Sequence, residues 1–439
     1  MAEDAGLARA AALHRDGRLG EAVAAYRALL AGDPGNAGVW HNMGVALAGA
    51  GDAEAALAAF DRALDLSPDY LHARVNRGGA LQALGRHAAA AAAYGAALRL
   101  DPSLYEIRLR EGLMLLAAGD RTGALEAFRK TRAVRRDPAA MGADHPSFAR
   151  ASRLKLAHDA AQLRYLAEAG REGADFAALA ALHQAAAARM PAGAGPAALP
   201  DELREMLAET YNRAIHTADA GEIPGGALDA SFDGAEIEAR YRERAPGIAV
   251  VDDLLSPPAL AALRRHLLES TIWHDGEHIP GFLAAYLEDG LAAPVLLQIA
   301  AELRAALPGI LAPHPLAQGW AFKCLTGSQG IDIHADAGAV SLNFWLTPDA
   351  ANLEPGAGGL AIHRAPPPQG WRIADYDRDR DRIRDFLAAS DAGALAVPYA
   401  ANRAVLFRSD LFHESGRVRF RPGYANHRIN ITLLFGESP

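Results

Sequence analysis

Two periods divide the hydrophobic pattern of this chain. Up to about residue 138 it repeats every 34 residues. Gly44, Gly78 and Gly112 share one register, Gly17, Gly51, Gly85 and Gly119 a second, and Tyr26, Phe60, Tyr94 and Phe128 a third. Ala22, Ala56, Ala90 and Ala124 keep a fourth, and Pro34, Pro68 and Pro102 close successive units. A unit of this length holds two helices and no core of its own, so it must bury its apolar face on its neighbours. The pattern predicts helix pairs stacked in a row, small residues permitting close approach and an aromatic filling the gap to the next pair. Residues 37–138 supply three nearly complete units, and 5–36 a fourth whose first helix is degenerate.

Beyond 138 the periodicity loosens and then changes. Ser147 is a candidate N-cap, and Leu154, Leu156, Leu163, Tyr165 and Leu166 predict a long amphipathic helix. A second helix is predicted over 174–190, and Asp201 caps a third after the break at 190–196. From residue 247 the period falls to two. Strands are predicted at 247–253, 319–324, 330–336, 341–346, 359–363, 403–408 and 428–433, with helices at 257–270 and 294–307. In the third of these strands His334 and Asp336 fall on one face, and in the last Arg428, Asn430 and Thr432 do the same. Ser341, Asn343 and Trp345 make a mixed face opposite Leu342, Phe344 and Leu346.

The 34-residue unit resembles the tetratricopeptide repeat, with Trp40 where that family often carries tryptophan. The resemblance implies a concave face that receives a peptide or partner protein. Asn42, Asn76, Arg77 and Arg110, on the first helices of their units, are candidate groove residues. A plain solvated surface explains each of them as well.

Composition narrows the classes. The 439 residues suffice for two or three domains. A net charge of -9 supplies no global attraction to nucleic acid. Cys324 is the single cysteine, so no intramolecular disulfide framework exists; with an acidic, unhydrophobic start and no long apolar run, the expectation is a cytoplasmic protein without a membrane span. Alanine and arginine bias against three lysines suggests a bacterial genome.

Two imidazoles and one carboxylate are the ligand set of non-haem Fe(II) sites, and His334, Asp336 and His413 provide them in order, each in or just after a predicted strand. With Gly356-Ala357-Gly358-Gly359 between them and Arg428 beyond, residues 245–436 resemble the Fe(II)- and 2-oxoglutarate-dependent oxygenase superfamily. That resemblance implies a double-stranded β-helix of the jelly-roll or cupin kind with flanking helices. It makes His334, Asp336 and His413 the iron ligands and Arg428 the clamp for the far carboxylate of 2-oxoglutarate, with Asn430 beside it, Asn343 touching co-substrate or substrate, and O2 as oxidant. Asp332 is a rival for Asp336, and Arg421 for Arg428. Lys323, His363, Trp371 and Tyr376 are weaker candidates, and the insertion at 364–397 is expected to shape access to the site.

The expected organisation is therefore a multidomain α plus β chain: a tetratricopeptide repeat domain at 1–138, a helical linker at 139–235 in which no chemistry is expected, and an oxygenase domain at 236–439. The expected activity is hydroxylation of a protein, peptide or other substrate recruited by the repeats. A repeat scaffold with a retired oxygenase fold, or a cupin-like metalloenzyme that does not use 2-oxoglutarate, are the alternatives. Oligomeric state and prime substrate are not legible.

Overall fold

The computed structural model describes residues 2–142, 144–193, 195–243, 247–276, 279, 281–325, 330–371 and 379–437. It divides into two compact units, Met1–Thr131 and Arg132–Pro439. The first is built from helix pairs: α1 (Ala2–Arg15) with α2 (Leu19–Gly32), α3 (Ala37–Gly49) with α4 (Ala53–Leu66), α5 (Leu71–Ala83) with α6 (His87–Leu100), and α7 (Tyr105–Ala117) with α8 (Arg121–Arg135). The registers read from the sequence are the contacts that hold it together. Gly17, Gly51, Gly85 and Gly119 stand at the turns within the pairs with φ of +74°, +83°, +68° and +92°, the left-handed region that costs glycine least. Gly44, Gly78 and Gly112 each lie flat under the aromatic ring of the following helix, Phe60, Tyr94 and Phe128. Tyr26, Phe60 and Tyr94 are buried in one continuous core.

In the second unit α9 (Arg153–Glu168) and α10 (Phe176–Arg189) pair first, followed by α11 (Asp201–Leu207), α12 (Gly234–Glu243), α13 (Pro257–Glu269), α14 (Pro294–Ala306) and α15 (Arg380–Ala388). Ser147 does not cap the long helix. It lies in a one-turn helix, Pro146–Ala149, capped by the His145 side chain, and Ser152 caps α9 by accepting from the Lys155 N–H at 3.1 Å. The stretch read as a linker packs onto the β-bearing part: Gln162 on α9 donates to the Leu268 and Ser270 carbonyls, and Arg171 pairs with Glu269 at 2.6 Å.

Among the described residues a two-residue antiparallel pair, Arg150–Ala151 with Ala197–Ala198, stands apart from nine further strands: β1 (Ile248–Val251), β2 (Phe282–Tyr286), β3 (Leu316–Cys324), β4 (Val340–Trp345), β5 (Leu360–His363), β6 (Ala394–Val397), β7 (Ala404–Arg408), β8 (His413–Ser415) and β9 (Arg428–Phe435). They form an antiparallel six-stranded sheet, β1-β7-β4-β9-β3-β2, and an antiparallel three-stranded sheet, β8-β5-β6. The sheets face one another, since Trp345, Val405 and Phe407 of the larger share a core with Leu360, Ile362 and Val397 of the smaller. Residues 330–336, predicted as a strand, form only an isolated bridge at His334. Gly330 there has φ +95°, and the Asp332 carboxylate accepts from the Ile333 N–H at 2.8 Å, so local side-chain bonding replaces a ladder.

The outer face of β3 carries Lys323, which is wholly buried among aromatic rings and donates to His158 Nε2 at 3.3 Å and Tyr424 Oη at 3.0 Å. His158 turns its Nδ1–H to Asp159 at 3.1 Å, and Lys155 closes the group by pairing with the same carboxylate. Burial, aided by the Lys323 charge, pushes the His158 pKa down to about 3, so it stays a neutral relay between amine and carboxylate. Lys323 thus belongs to a polar cluster that ties α9 to the sheet.

The glycine-under-ring contact has a test in two adjacent residues. A Cβ on Gly78 would enter the Tyr94 ring, whereas one on Gly79 would meet nothing nearer than 3.9 Å. Gly79→Ala should therefore stabilise by up to about 1 kcal/mol through helix propensity. Gly78→Ala should instead destabilise by about 1–3 kcal/mol from overpacking. Thermal unfolding followed by circular dichroism reads both signs.

Candidate metal centre

His334 and His413 come together through a pair of backbone bonds: the His334 N–H donates to the His413 carbonyl at 3.0 Å and the His413 N–H returns one at 2.8 Å. This non-local bridge stacks the two imidazoles with ring centroids 4.2 Å apart. Each ring then uses Nδ1 on its own backbone, His334 on the Asp332 carbonyl at 2.8 Å and His413 on the Leu411 carbonyl at 2.9 Å. A carbonyl oxygen only accepts, so each Nδ1 carries a proton and only Nε2 of each ring is left to offer a lone pair to a metal.

Those lone pairs converge on Asp336. Its carboxylate lies 3.9 Å from His334 Nε2 and 3.5 Å from His413 Nε2, and one ligand atom from each of the three residues falls within 4.8 Å of the others. Ser341 Oγ on β4 donates to Asp336 at 2.9 Å and meets Ser409 Oγ at 2.8 Å, while the Asp336 N–H binds the Ser409 carbonyl. These contacts fix the carboxylate, which is 7 % exposed. Burial, and next the neighbouring His334, push the His413 pKa down to about 4. A neutral His413 imidazole beside a carboxylate is the protonation state in which a ring can ligate a divalent metal.

The sheet register places a second group of polar side chains on the inner face. Arg428, Asn430 and Thr432 of β9 lie there opposite Cys324, Phe322 and Trp320 of β3. Arg428 is 2 % exposed, donates Nε to the Gly358 carbonyl at 2.7 Å and a terminal N–H to Asn430 Oδ1 at 3.0 Å, and has no carboxylate partner among the described residues. Burial lowers its pKa. A buried guanidinium without a counter-ion is costly, which makes this a place for an incoming acid. Asn343 on β4 donates to Thr432 Oγ1 at 3.0 Å, leaving its buried Oδ1 without a partner, as is the Trp345 indole N–H on the same face.

The rivals lie elsewhere. Asp332 turns outward to Arg384, which donates to both of its carboxylate oxygens at 2.8 and 3.0 Å, and contributes only its carbonyl to His334. Arg421 is exposed, and its stretch forms only one isolated bridge, at Phe420. His363 lies 3.5 Å from Glu414 and is not part of the three-residue cluster. The described part of the insertion backs the ligand segment: α15 packs Ile383 against Ile333 and Ala335, Arg380 donates to the Ile333 carbonyl, and Trp371 stacks under Arg382 and against Phe386 and Phe412. Trp371 is therefore an anchor, and Tyr376 lies outside the described residues. Ser409 and Arg384 were not singled out from the sequence; Ser341 had a signal in its place on the polar face of β4, and Gly358 in the glycine-rich run between the ligand motifs.

Of the groove candidates, Asn42 and Asn76 are joined through His41, and Arg77 pairs with Asp61 at 2.5 Å. Residues 13–74 and 76–140 match the tetratricopeptide repeat family. The first unit is a tetratricopeptide-repeat array. Among solved structures the chain is similar to a MamA protein, at 21 % identity over 32 % of this chain and 76 % of that one, with a TM-score of 0.31. MamA from Desulfovibrio magneticus aligns at 19 % identity over 43 % of this chain and 94 % of that one, TM-score 0.29. The second tetratricopeptide repeat domain of human RPAP3, solved in complex with an HSP70 peptide, aligns at 23 % identity over 25 % and 91 %, TM-score 0.24. No curated protein matches the chain.

Cobalt(II) titration of the metal-free protein, read from its visible absorption, checks the assignment of ligands. One ion should bind per chain, with Asp332→Asn indistinguishable from the unaltered protein and Asp336→Asn abolishing binding. Ser341→Ala should weaken it about 10-fold, the usual effect of loosening a ligand's support.

Proposed function

We propose that the second unit is an Fe(II)- and 2-oxoglutarate-dependent oxygenase, its two facing sheets forming a double-stranded β-helix, and that it hydroxylates a substrate brought by the repeat array. The observation that carries this reading is the convergence of two Nδ1-protonated imidazoles on the carboxylate of Asp336, on the same side of the sheet as a buried arginine that lacks a counter-ion. Three protein ligands would leave room on a bound metal for a 2-oxo acid and oxygen. With iron and co-substrate bound, the group would couple oxidative decarboxylation of 2-oxoglutarate by O2 to oxidation of a C–H bond.

The chain's own residues do the positioning. His334, Asp336 and His413 would hold the metal, their orientation set by the Asp332 and Leu411 carbonyls and by Ser341. Arg428, held rigid by Gly358 and Asn430, would receive the distal carboxylate through parallel hydrogen bonds. Asn343 Oδ1 and the Trp345 N–H offer one acceptor and one donor on the same face for substrate or co-substrate. The repeat array is proposed to bind a protein or peptide partner on its concave face, the surface such stacked repeats use.

Anaerobic addition of 2-oxoglutarate to the Fe(II)-loaded protein should raise a metal-to-ligand charge-transfer band that disappears on admitting oxygen, with succinate formed. Arg428→Lys and Arg428→Ala should raise the 2-oxoglutarate KM at least about 10-fold, the loss of one charged hydrogen bond or more. A protein that binds iron and gives no such band is a metalloenzyme of another kind. One that binds no metal is a scaffold.

A further inference from the structure

Trp345, the last residue of β4, is wholly buried, and its indole Nε1–H has no hydrogen-bond partner among the described residues. An indole nitrogen only donates, so this proton needs an acceptor, and burial without one is destabilising. The surrounding side chains do not supply it. Leu360, Ile362, Val397 and Val405 share an apolar core with the ring. Three polar side chains lie near, and each is engaged elsewhere. Tyr399, its ring centroid 5.7 Å away, turns its hydroxyl to the Thr347 carbonyl. Asn430, opposite Trp345 on β9, accepts from Arg428 through its Oδ1. Arg428, whose guanidinium carbon stands 6.0 Å from the centre of the indole, has donors alone.

The indole and the guanidinium therefore lack the same thing. Arg428 holds the Gly358 carbonyl and Asn430 and meets no carboxylate among the described residues. A carboxylate offers two oxygens and about four lone-pair sites, so it accepts from a planar guanidinium on one side and from a single N–H on another. Hydrogen bonds of about 2.9 Å on either side of such a group reach across a separation of the order seen here. Both donors are buried, so water competes little for either, and a charged hydrogen bond formed between them is correspondingly strong.

We propose that the Trp345 indole N–H is a second anchor for the acid received by Arg428, so that the distal carboxylate of the co-substrate bridges indole and guanidinium. The inference rests on the reading of this unit as a 2-oxoglutarate-dependent oxygenase. It makes Trp345 a specificity-determining residue: its donor favours 2-oxo acids that end in a second carboxylate over those that end in a methyl group, which would leave both the indole and the guanidinium unpaired.

Proton–nitrogen spectra of the zinc-loaded protein test it, zinc standing in for iron as a diamagnetic ion. The five tryptophans give five indole signals, and that of Trp345 is the one lost in Trp345→Phe or Trp345→Tyr. Saturating 2-oxoglutarate should move this signal downfield. Saturating 2-oxopentanoate, the same acid with a methyl group in place of the distal carboxylate, should not. By calorimetry, Trp345→Phe should lower the preference for 2-oxoglutarate over 2-oxopentanoate about tenfold, the loss of one charged hydrogen bond. Cobalt(II) affinity should be unchanged. A role in packing alone would weaken the two acids alike. If 2-oxoglutarate binds and the Trp345 signal stays in place, or the preference is undiminished in the variant, the indole is no anchor and the oxygenase reading stands. If 2-oxoglutarate does not bind the zinc-loaded protein, both fall.

Discussion

The reciprocal backbone bonds between His334 and His413 are the constraint on which the site depends. They join an irregular segment after β3 to the first residue of β8, and so join the six-stranded sheet to the three-stranded one at the point where chemistry is proposed. Once the two backbones are bridged, each ring has its Nδ1 occupied by a carbonyl two residues before it, and only Nε2 can face inward. The carboxylate of Asp336 is then aimed by Ser341 from the next strand. The centre is rigid because every member is oriented by a group that does not itself bind a ligand.

Support from outside the centre follows the same logic. α15 packs behind the ligand segment through Ile383, Phe386 and Leu387, and Arg384 holds Asp332 outward. On the other side of the sheet, Lys323, His158, Asp159 and Lys155 form a closed run of charged and neutral partners that fastens α9 to β3. Such a buried cluster is tolerable only because each member finds a partner. It makes the helical stretch 153–189 part of the β-bearing unit.

The repeat registers were legible because they are local and recur: a glycine, an aromatic and a turn glycine in each 34-residue unit become a turn and a close contact in each helix pair. The strands that carry Arg428, Asn430 and Asn343 were legible by alternation. His334 and Asp336 were found by their spacing, yet the strand predicted around them does not form, because a single bridge to a residue far along the chain replaces a ladder. Asp332 could not be separated from Asp336 in sequence, since both share the period; its partner Arg384 lies in the insertion and is visible only in three dimensions. Lys323 was legible as unusual, but its face of β3 decides its role, and the capping of α9 by Ser152 instead of Ser147 rests on where the chain turns.

The central claim is that one metal and one 2-oxo acid occupy the space between His334, Asp336, His413 and Arg428. Crystals grown without oxygen, with iron and 2-oxoglutarate, and measured at the iron absorption edge test it directly. The predicted result is one anomalous peak bonded to Nε2 of His334, a carboxylate oxygen of Asp336 and Nε2 of His413, with the distal carboxylate of the acid against Arg428. Iron elsewhere, or the acid bound away from Arg428, would contradict it.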